Sequence, residues 1–429
     1  MIILLIVIFI LFLALGFPIA SLIGFVSFTG MAAIPEAPTM IVFQKMFNSL
    51  NSFVLLSVPL FILAASIMNR GKISKMLIDF TVMIFGFTRG GLAHANVLVS
   101  MIFAGVSGSA QADTSGIGKI LIPSMIDSGY DKETSVGVTA ASSTIGIIIP
   151  PSIPMVIYSG ITNTSVAAMF LCGIVPGILI GLAMMLVIAL YSKKKNFPKY
   201  DPTPIKDILR QGIKVFPALL TPVIIVGGIL TGWYTPTEAA AFASIYALFI
   251  SLFIYKTITL KDLIPVFQEV TELISVSLFA LTTASALGEL MAFYNFHQHI
   301  SAFFQNNVTS PIIFLLIVIA FFLFLGTFMD LTPAMILFIP VLYGPAINYG
   351  IHPVHLGIIS VITLAIGLCT PPYGICLLIA SSIGELSVVK SIKGTMPYLL
   401  AMIAVLLLIT FFPEIMFALP RLIQPQLFA

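Results

Sequence analysis

Apolar residues fill this chain in blocks long enough to cross a bilayer, and polar residues are confined to short breaks between them. Residues 2–16 and 17–34 read as two short segments parted at Gly16-Phe-Pro18, or as one long kinked helix. Residues 51–69 predict a further span. Residues 70–89 alternate Arg70, Lys72, Lys75, Asp79 and Arg89 with apolar positions, the pattern of an amphipathic helix lying at the interface. Next, residues 92–106 are apolar, 107–116 small and polar, and 117–125 largely apolar. Neither arm suffices for roughly 30 Å of hydrocarbon at about 1.5 Å per residue, so the pattern predicts a re-entrant helical hairpin over about 92–127. A broken helix over 133–162 and a span over 166–191 follow. Residues 192–214, with seven Lys/Arg and three prolines, form the one polar linker.

The same plan returns after the linker. Spans are expected over 215–231, 236–255 and 260–290, with residues 293–307 lying flat at the interface. A second hairpin, about 312–346, has arms 312–325 and 333–343 around a tip at 326–332. A broken helix over 355–383 and a last span over 397–419 close the pattern. Local echoes support a repeat: Val58-Pro-Leu-Phe61 with Val276-Ser-Leu-Phe279, and Asp113 ten residues before Pro123 with Asp330 ten before Pro340. The two repeats are expected at 1–191 and 215–429.

The broken helices are the centre of this organisation. Ser143-Thr-Ile-Gly-Ile-Ile-Ile-Pro-Pro-Ser152 and Ala365-Ile-Gly-Leu-Cys-Thr-Pro-Pro-Tyr-Gly374 each place a Pro-Pro pair four residues after a glycine. Lipid offers a backbone no hydrogen-bond partners, and two adjacent prolines remove two donors while pushing the preceding residues out of helical geometry. Ordinary proline kinks would be the plainer account. Their matched position in two halves points instead to the binding site of a secondary transporter.

Composition sets the class. The chain is 59% hydrophobic and 8% charged, against roughly 25% charged in a soluble protein, so it is a polytopic membrane protein with no room for a separate soluble domain. The three cysteines (Cys172, Cys369, Cys376) lie in apolar runs without metal-type spacing, and the five histidines do not cluster as ligands. The start, Met-Ile-Ile, lacks a basic region and cleavage signal, and is expected to be a retained helix.

Charge placement predicts the topology. With the N-terminus outside, five spans in each half, and each hairpin returning to its own side, nearly every cation falls inside. These are Arg70, Lys72, Lys75, Arg89, Lys119, Lys132, the seven of the linker, Lys256, Lys261, Lys390 and Lys393. Only Lys45 and Arg421 remain outside, as the positive-inside rule favours. An odd number of spans per half makes the repeats inverted. The expected fold is therefore all-α, with about ten transmembrane helices plus two re-entrant hairpins in two inverted repeats.

Inverted repeats with paired hairpins and breaks imply one central site reached alternately from each side. Carbonyls freed by Gly and Pro, with Ser and Thr hydroxyls, are hard oxygen ligands of the kind that coordinate Na⁺ in transporters. The sodium candidates are Ser107, Gly108, Ser109, Ser143, Thr144 and Gly146 in the first half. In the second half they are Gly326, Thr327, Gly367 and Thr370. Close helix packing is the alternative use of these small residues. Asp113 and Asp330 are the acids expected at membrane depth, to pair with a cation, bind protons, or cap a hairpin tip. No organic cofactor and no transition metal are expected.

Several stretches together resemble the large membrane subunit of the tripartite ATP-independent periplasmic (TRAP) transporters. They are the Pro-Pro broken helices, the Gly-Val-Ser-Gly-Ser and Gly-Thr-Phe-Met-Asp tips, Gly16-Phe-Pro-Ile-Ala20, and Trp233-Tyr-Thr-Pro-Thr-Glu-Ala-Ala240. The resemblance runs over essentially the whole chain. It implies an elevator-type, Na⁺-driven uptake system for organic acids such as dicarboxylates or sialic acid, in a bacterial inner membrane. It also implies two partners, a small four-helix membrane subunit and a periplasmic substrate-binding protein. This chain begins directly at the large subunit, so the small one is expected as a separate polypeptide. No arginine at membrane depth is available to pair a carboxylate, and recognition falls to helix ends, hydroxyls and amides. The substrate candidates are Ser107, Ser109, Ser152, Asp330 and Tyr373.

Other classes compete. A binding-protein-independent carboxylate symporter of similar architecture would share these features, and a channel would share the broken helices. Gly105-Val-Ser-Gly108 has the form of an intramembrane serine protease motif, which needs a histidine base beside Ser107. Only His94 is near in sequence, at the base of the hairpin, and no enzyme is expected.

Overall fold

The computed structural model describes residues 2–34 and 37–425, and among these the regular structure is helical throughout, with no strand. The N-terminal segment is two helices, Ile2–Ala14 and Ile19–Ala32. They part where Gly16 takes a left-handed backbone (φ +82°) and Pro18 ends the preceding ladder. A third helix, Met40–Leu50, was not expected from the sequence, and the span predicted from residue 51 begins only at Ser57, as Ser57–Arg70. The amphipathic segment forms Ile73–Phe85.

The first hairpin has arms Gly91–Ser107 and Ala110–Asp127, of 17 and 18 residues. Gly108 turns the chain between them with φ +58°, which an L side chain rarely adopts. The Ser109 hydroxyl caps the second arm by accepting from the Ala112 amide at 3.4 Å. The second hairpin is Pro311–Gly326 and Leu331–Asn348. Its return arm runs past the expected end at 343 because Pro345, like Pro340, is accommodated inside the helix. Pro123, Pro176, Pro217, Pro222 and Pro397 also sit inside helices. A lone proline removes one donor that packing or hydroxyls can compensate in a membrane. The Pro-Pro pairs do break their helices.

The first broken helix runs Lys132–Ser143, tightens to a 3-10 turn at Thr144–Ile147, and restarts as Ile153–Thr162. The second runs Pro353–Gly367 and restarts as Ile375–Ile383. Both Pro-Pro bonds, Pro150-Pro151 and Pro371-Pro372, are cis. Each broken helix leads into a long span, Val166–Lys194 and Val388–Phe411, and the latter is followed by Glu414–Ile423 beyond Pro413. The linker is shorter than the sequence suggested: Ile205–Leu230 is one helix that absorbs residues 205–214. Its amphipathic start carries Lys206, Arg210 and Lys214 on a helix rather than a coil. Pro236–Ile254 and the 31-residue helix Leu263–Phe293 complete the second half, with Phe296–Asn307 preceding the second hairpin.

Packing interlocks the halves. Ser57–Arg70 packs on Pro236–Phe249, and Ile19–Ala32 and Met40–Leu50 pack on Leu263–Phe293, forming one group. A second group holds both hairpins, both broken helices, Val166–Lys194 and Val388–Phe411. Gly137 and Gly394 let the first broken helix and the last span touch backbone to backbone. Along Val166–Lys194, Ile180, Met184 and Ile188 are fully buried, whereas Ile178, Leu182, Leu186 and Leu190 are exposed. Both stripes are apolar, as a helix between protein and lipid requires.

Candidate transport site

The breaks and the hairpin tips come together inside the second group. Glycine makes the approaches possible. Gly326, at the end of the outward arm, and Gly367, at the second break, pack backbone on backbone. A Cβ on Gly367 would lie 2.6 Å from the Gly326 Cα. In the first half Gly146 faces the Asp113 carboxylate, and any Cβ there would overlap Oδ2. Gly108 lies against the Pro151 carbonyl, placing the first tip directly over the first Pro-Pro break.

Asp113 is fully buried. Ser107 donates its hydroxyl proton to Oδ1, while Oδ2 has no hydrogen-bond partner among the described residues. Buried polar atoms are nearly always satisfied, which makes this oxygen the candidate contact for a bound ion. At the next position, Thr114 Oγ1 lies 2.5 Å from Ser143 Oγ, joining the hairpin to the broken helix. Behind this pair Asn96 donates to Thr139 Oγ1 at 2.7 Å and accepts from Ser142 Oγ at 3.1 Å. This network ties both elements into one body. Asn96 was not singled out by sequence reasoning, because one amide in an apolar helix carries no pattern.

The two tips meet. Gln111, in the first, donates from Nε2 to Asp330 Oδ1 in the second at 2.8 Å. Asp330 sits at the N-cap position of Leu331–Asn348, yet its side chain makes no capping bond there. Cys369 at the second break donates to the Ala140 carbonyl of the first broken helix at 2.9 Å.

The other candidates take varied positions. Thr327 and Thr370 each donate to a carbonyl of their own helix (Phe324 and Ile366, at 2.7 and 2.8 Å), which leaves their oxygens free to accept. The Thr327 carbonyl accepts from the Tyr373 amide at 3.1 Å, so the second tip is tied to the second break, while the Tyr373 ring is 54% exposed. Thr144 turns away from the tips, donating to the Ala141 carbonyl and facing Met402. The Ser152 hydroxyl is buried and bridges the break, donating to the Ile147 carbonyl at 2.6 Å and accepting from the Met155 amide. His94 stacks near Phe85 at 6.1 Å, thirteen positions from Ser107 on one helix, or about 20 Å at roughly 1.5 Å per residue. No serine–histidine pair forms there. Among the described residues no three His, Cys, Asp or Glu side chains converge on a metal-sized site.

Comparison with known proteins agrees with this fold. In overall fold the chain is similar to the crystal structure of the YdaH transporter of Alcanivorax borkumensis. The TM-score is 0.63 over 87% of this chain and 88% of that one, at 12% identity. The chain is 35% identical to the sialic acid TRAP transporter large permease SiaM of Vibrio cholerae over 95% of each chain. It is 36% identical to the C4-dicarboxylate large permease DctM of Pseudomonas aeruginosa over 88% of each. The 2,3-diketo-L-gulonate large permease YiaN of Escherichia coli is 33% identical over 94% of this chain and 95% of that one. The family model for the tripartite ATP-independent periplasmic transporter, DctM component, matches residues 6–415. The chain thus belongs to the TRAP transporters, as their large membrane permease.

Proposed function

We propose that this permease takes up a small organic acid across the inner membrane in symport with Na⁺, receiving it from a periplasmic binding protein. The observation that carries the sodium reading is the Asp113 carboxylate, buried beside the Gly146 break with one oxygen unpartnered. A small hard cation satisfies that oxygen, and the break supplies the free carbonyls such ions use. Ser107, Gly108, Ser109, Ser143 and Gly146 make up the sodium-binding region of the first half, from which Thr144 is turned away, and Gly326, Thr327, Gly367 and Thr370 make up that of the second. Thr327 and Thr370, already donating to carbonyls, offer lone pairs only.

The relatives named for sialic acid, C4-dicarboxylates and 2,3-diketo-L-gulonate all act on carboxylates, which supports an acid as substrate here. Among the substrate candidates, Ser109 and Asp330 are partly accessible and Tyr373 is exposed, whereas Ser107 and Ser152 are buried behind them. With no arginine among them, bound Na⁺ supplies the positive charge beside the substrate carboxylate. The hairpins and broken helices then move as one body past a static frame, an elevator movement. The frame includes Ile205–Leu230 and Pro236–Ile254, whose exposed Phe216, Val223, Ile245 and Phe253, with Trp233 between the helices, suit a small four-helix membrane subunit. The N-terminus faces the periplasm, and no organic cofactor takes part.

The test is uptake by vesicles reconstituted with this chain, the small subunit and the binding protein. An inward Na⁺ gradient should drive accumulation. Proton-driven uptake indifferent to Na⁺ would remove the sodium reading, and full activity of the large subunit alone would remove the partner requirement.

A further inference from the structure

The hairpin tips come from segments 219 residues apart, and one side chain joins them. The Gln111 carboxamide donates from Nε2 to Asp330 Oδ1 at 2.8 Å and accepts at Oε1 from Ser109 Oγ at 3.2 Å. The Ser109 amide donates to Ser107 Oγ at 3.3 Å, and Ser107 donates to Asp113. Asp113, Ser107, Ser109, Gln111 and Asp330 are therefore one hydrogen-bonded string whose two ends are the two acids. Its sense is fixed. A carboxamide has one donor end and one acceptor end, and turning it over would set its carbonyl against the Asp330 carboxylate. The device is also one-sided. Two positions before its acid the first tip has Gln111, whereas the second has Phe328, which is 52% exposed and reaches no polar partner across the tips.

We propose that Gln111 is a positioning residue that couples the two half-sites, so that cation occupancy beside Asp113 and occupancy at Asp330 favour one another. The inference rests on the sodium-coupled reading. A cation drawn to Asp113 Oδ2 turns that carboxylate and so re-aims the Ser107 hydroxyl. Ser109 and the Gln111 amide transmit the shift, and the orientation of Asp330 follows. Cations in the two half-sites then load as a unit, which suppresses movement of a half-filled site.

Sodium titration of uptake tests this, in proteoliposomes holding the chain with its small subunit and supplied by the binding protein. Wild-type uptake should rise with sodium with a Hill coefficient above one. Gln111→Leu keeps the volume and removes both hydrogen bonds. Its Hill coefficient should fall to about one and its half-saturating sodium should rise on the order of tenfold, with maximal uptake within about threefold of wild type. An unchanged coefficient and half-saturation overturn the proposal, whereas a sodium-independent wild type overturns the reading beneath it. A second variant guards against loss of folding. Gln111→Glu sets a carboxylate against Asp330, and two carboxylates in contact share one proton. The other titratable groups nearby are Asp113 and the Cys369 and Cys376 thiols. Uptake by Gln111→Glu should acquire a steep rise on acidification that the wild type lacks, and a profile superimposable on the wild type's also overturns the proposal.

Discussion

Asp113 and Gly146 touch face to face: the unpartnered Oδ2 of the acid occupies the space where any side chain at 146 would begin. Gly146→Ala must therefore displace the carboxylate. Half-saturating sodium for uptake should rise by about tenfold or more, equivalent to roughly 1.4 kcal/mol of lost ion binding. Asp113→Asn should largely abolish sodium dependence. Unaltered sodium titrations in both variants would remove Asp113 from the ion site.

Gly326 and Gly367 make a different kind of contact, backbone against backbone, with no room for a methyl group on either. Gly367→Ala should destabilise the permease by about 1–3 kcal/mol through overpacking, seen as a lowered midpoint in detergent thermal unfolding. Gly288, on the long helix Leu263–Phe293, has open space where a Cβ would stand, and supplies the control. Gly288→Ala should be neutral or gain up to about 1 kcal/mol from helix propensity.

Asp131 caps the first broken helix from outside the membrane, accepting from the Thr134 amide at 2.8 Å and pairing with Lys195 at 3.0 Å. Burial alone raises this carboxyl, but the hydrogen bonds from Lys195 and Thr134 outweigh it and hold it below its ordinary value. A depressed folded-state value means the stabilisation is present above the unfolded value, near 4, and fades as pH falls through the folded one. Because the pair is about one-third exposed, the effect should be no more than about 1 kcal/mol. Asp131→Asn should lower the unfolding midpoint at pH 7, and the gap to wild type should close below about pH 4. A gap independent of pH would assign the effect to the cap alone.

Cysteine pairs test the movement, after Cys172, Cys369 and Cys376 are replaced. The tips already meet through Gln111 and Asp330. A crosslink between them should leave the body able to change depth, though it impedes substrate access. A crosslink from a tip to Ile205–Leu230 should stop transport with one side accessible. Tips that separate widely without changing depth would indicate a rocking mechanism instead.

The sequence by itself determined the class and the breaks. Apolar run length is a one-dimensional property, and lipid forbids unsatisfied backbone, so Pro-Pro pairs and glycines announce a helix break without any knowledge of neighbours. The hairpin tips were legible for the same reason, since Ser107, Gly108 and Ser109 are polar and flexible where the flanks are neither. Helix ends were misjudged: Pro345 stands inside the second hairpin's return arm rather than beyond it, and residues 205–214 turned out helical. Both outcomes depend on what packs alongside.

Only the tertiary structure decided which face of each apolar helix is buried. Ile180, Met184 and Ile188 differ in nothing legible from Ile178, Leu182, Leu186 and Leu190, because lipid and protein interior are equally apolar. The pairings that build the site were likewise invisible. Nothing in composition sets Asp113 against Gly146 rather than against its own helix, or sends Gln111 across to Asp330. Side-chain hydrogen bonds between segments far apart in sequence follow from the packing of helices, and helix packing is specified by contacts that no periodicity records.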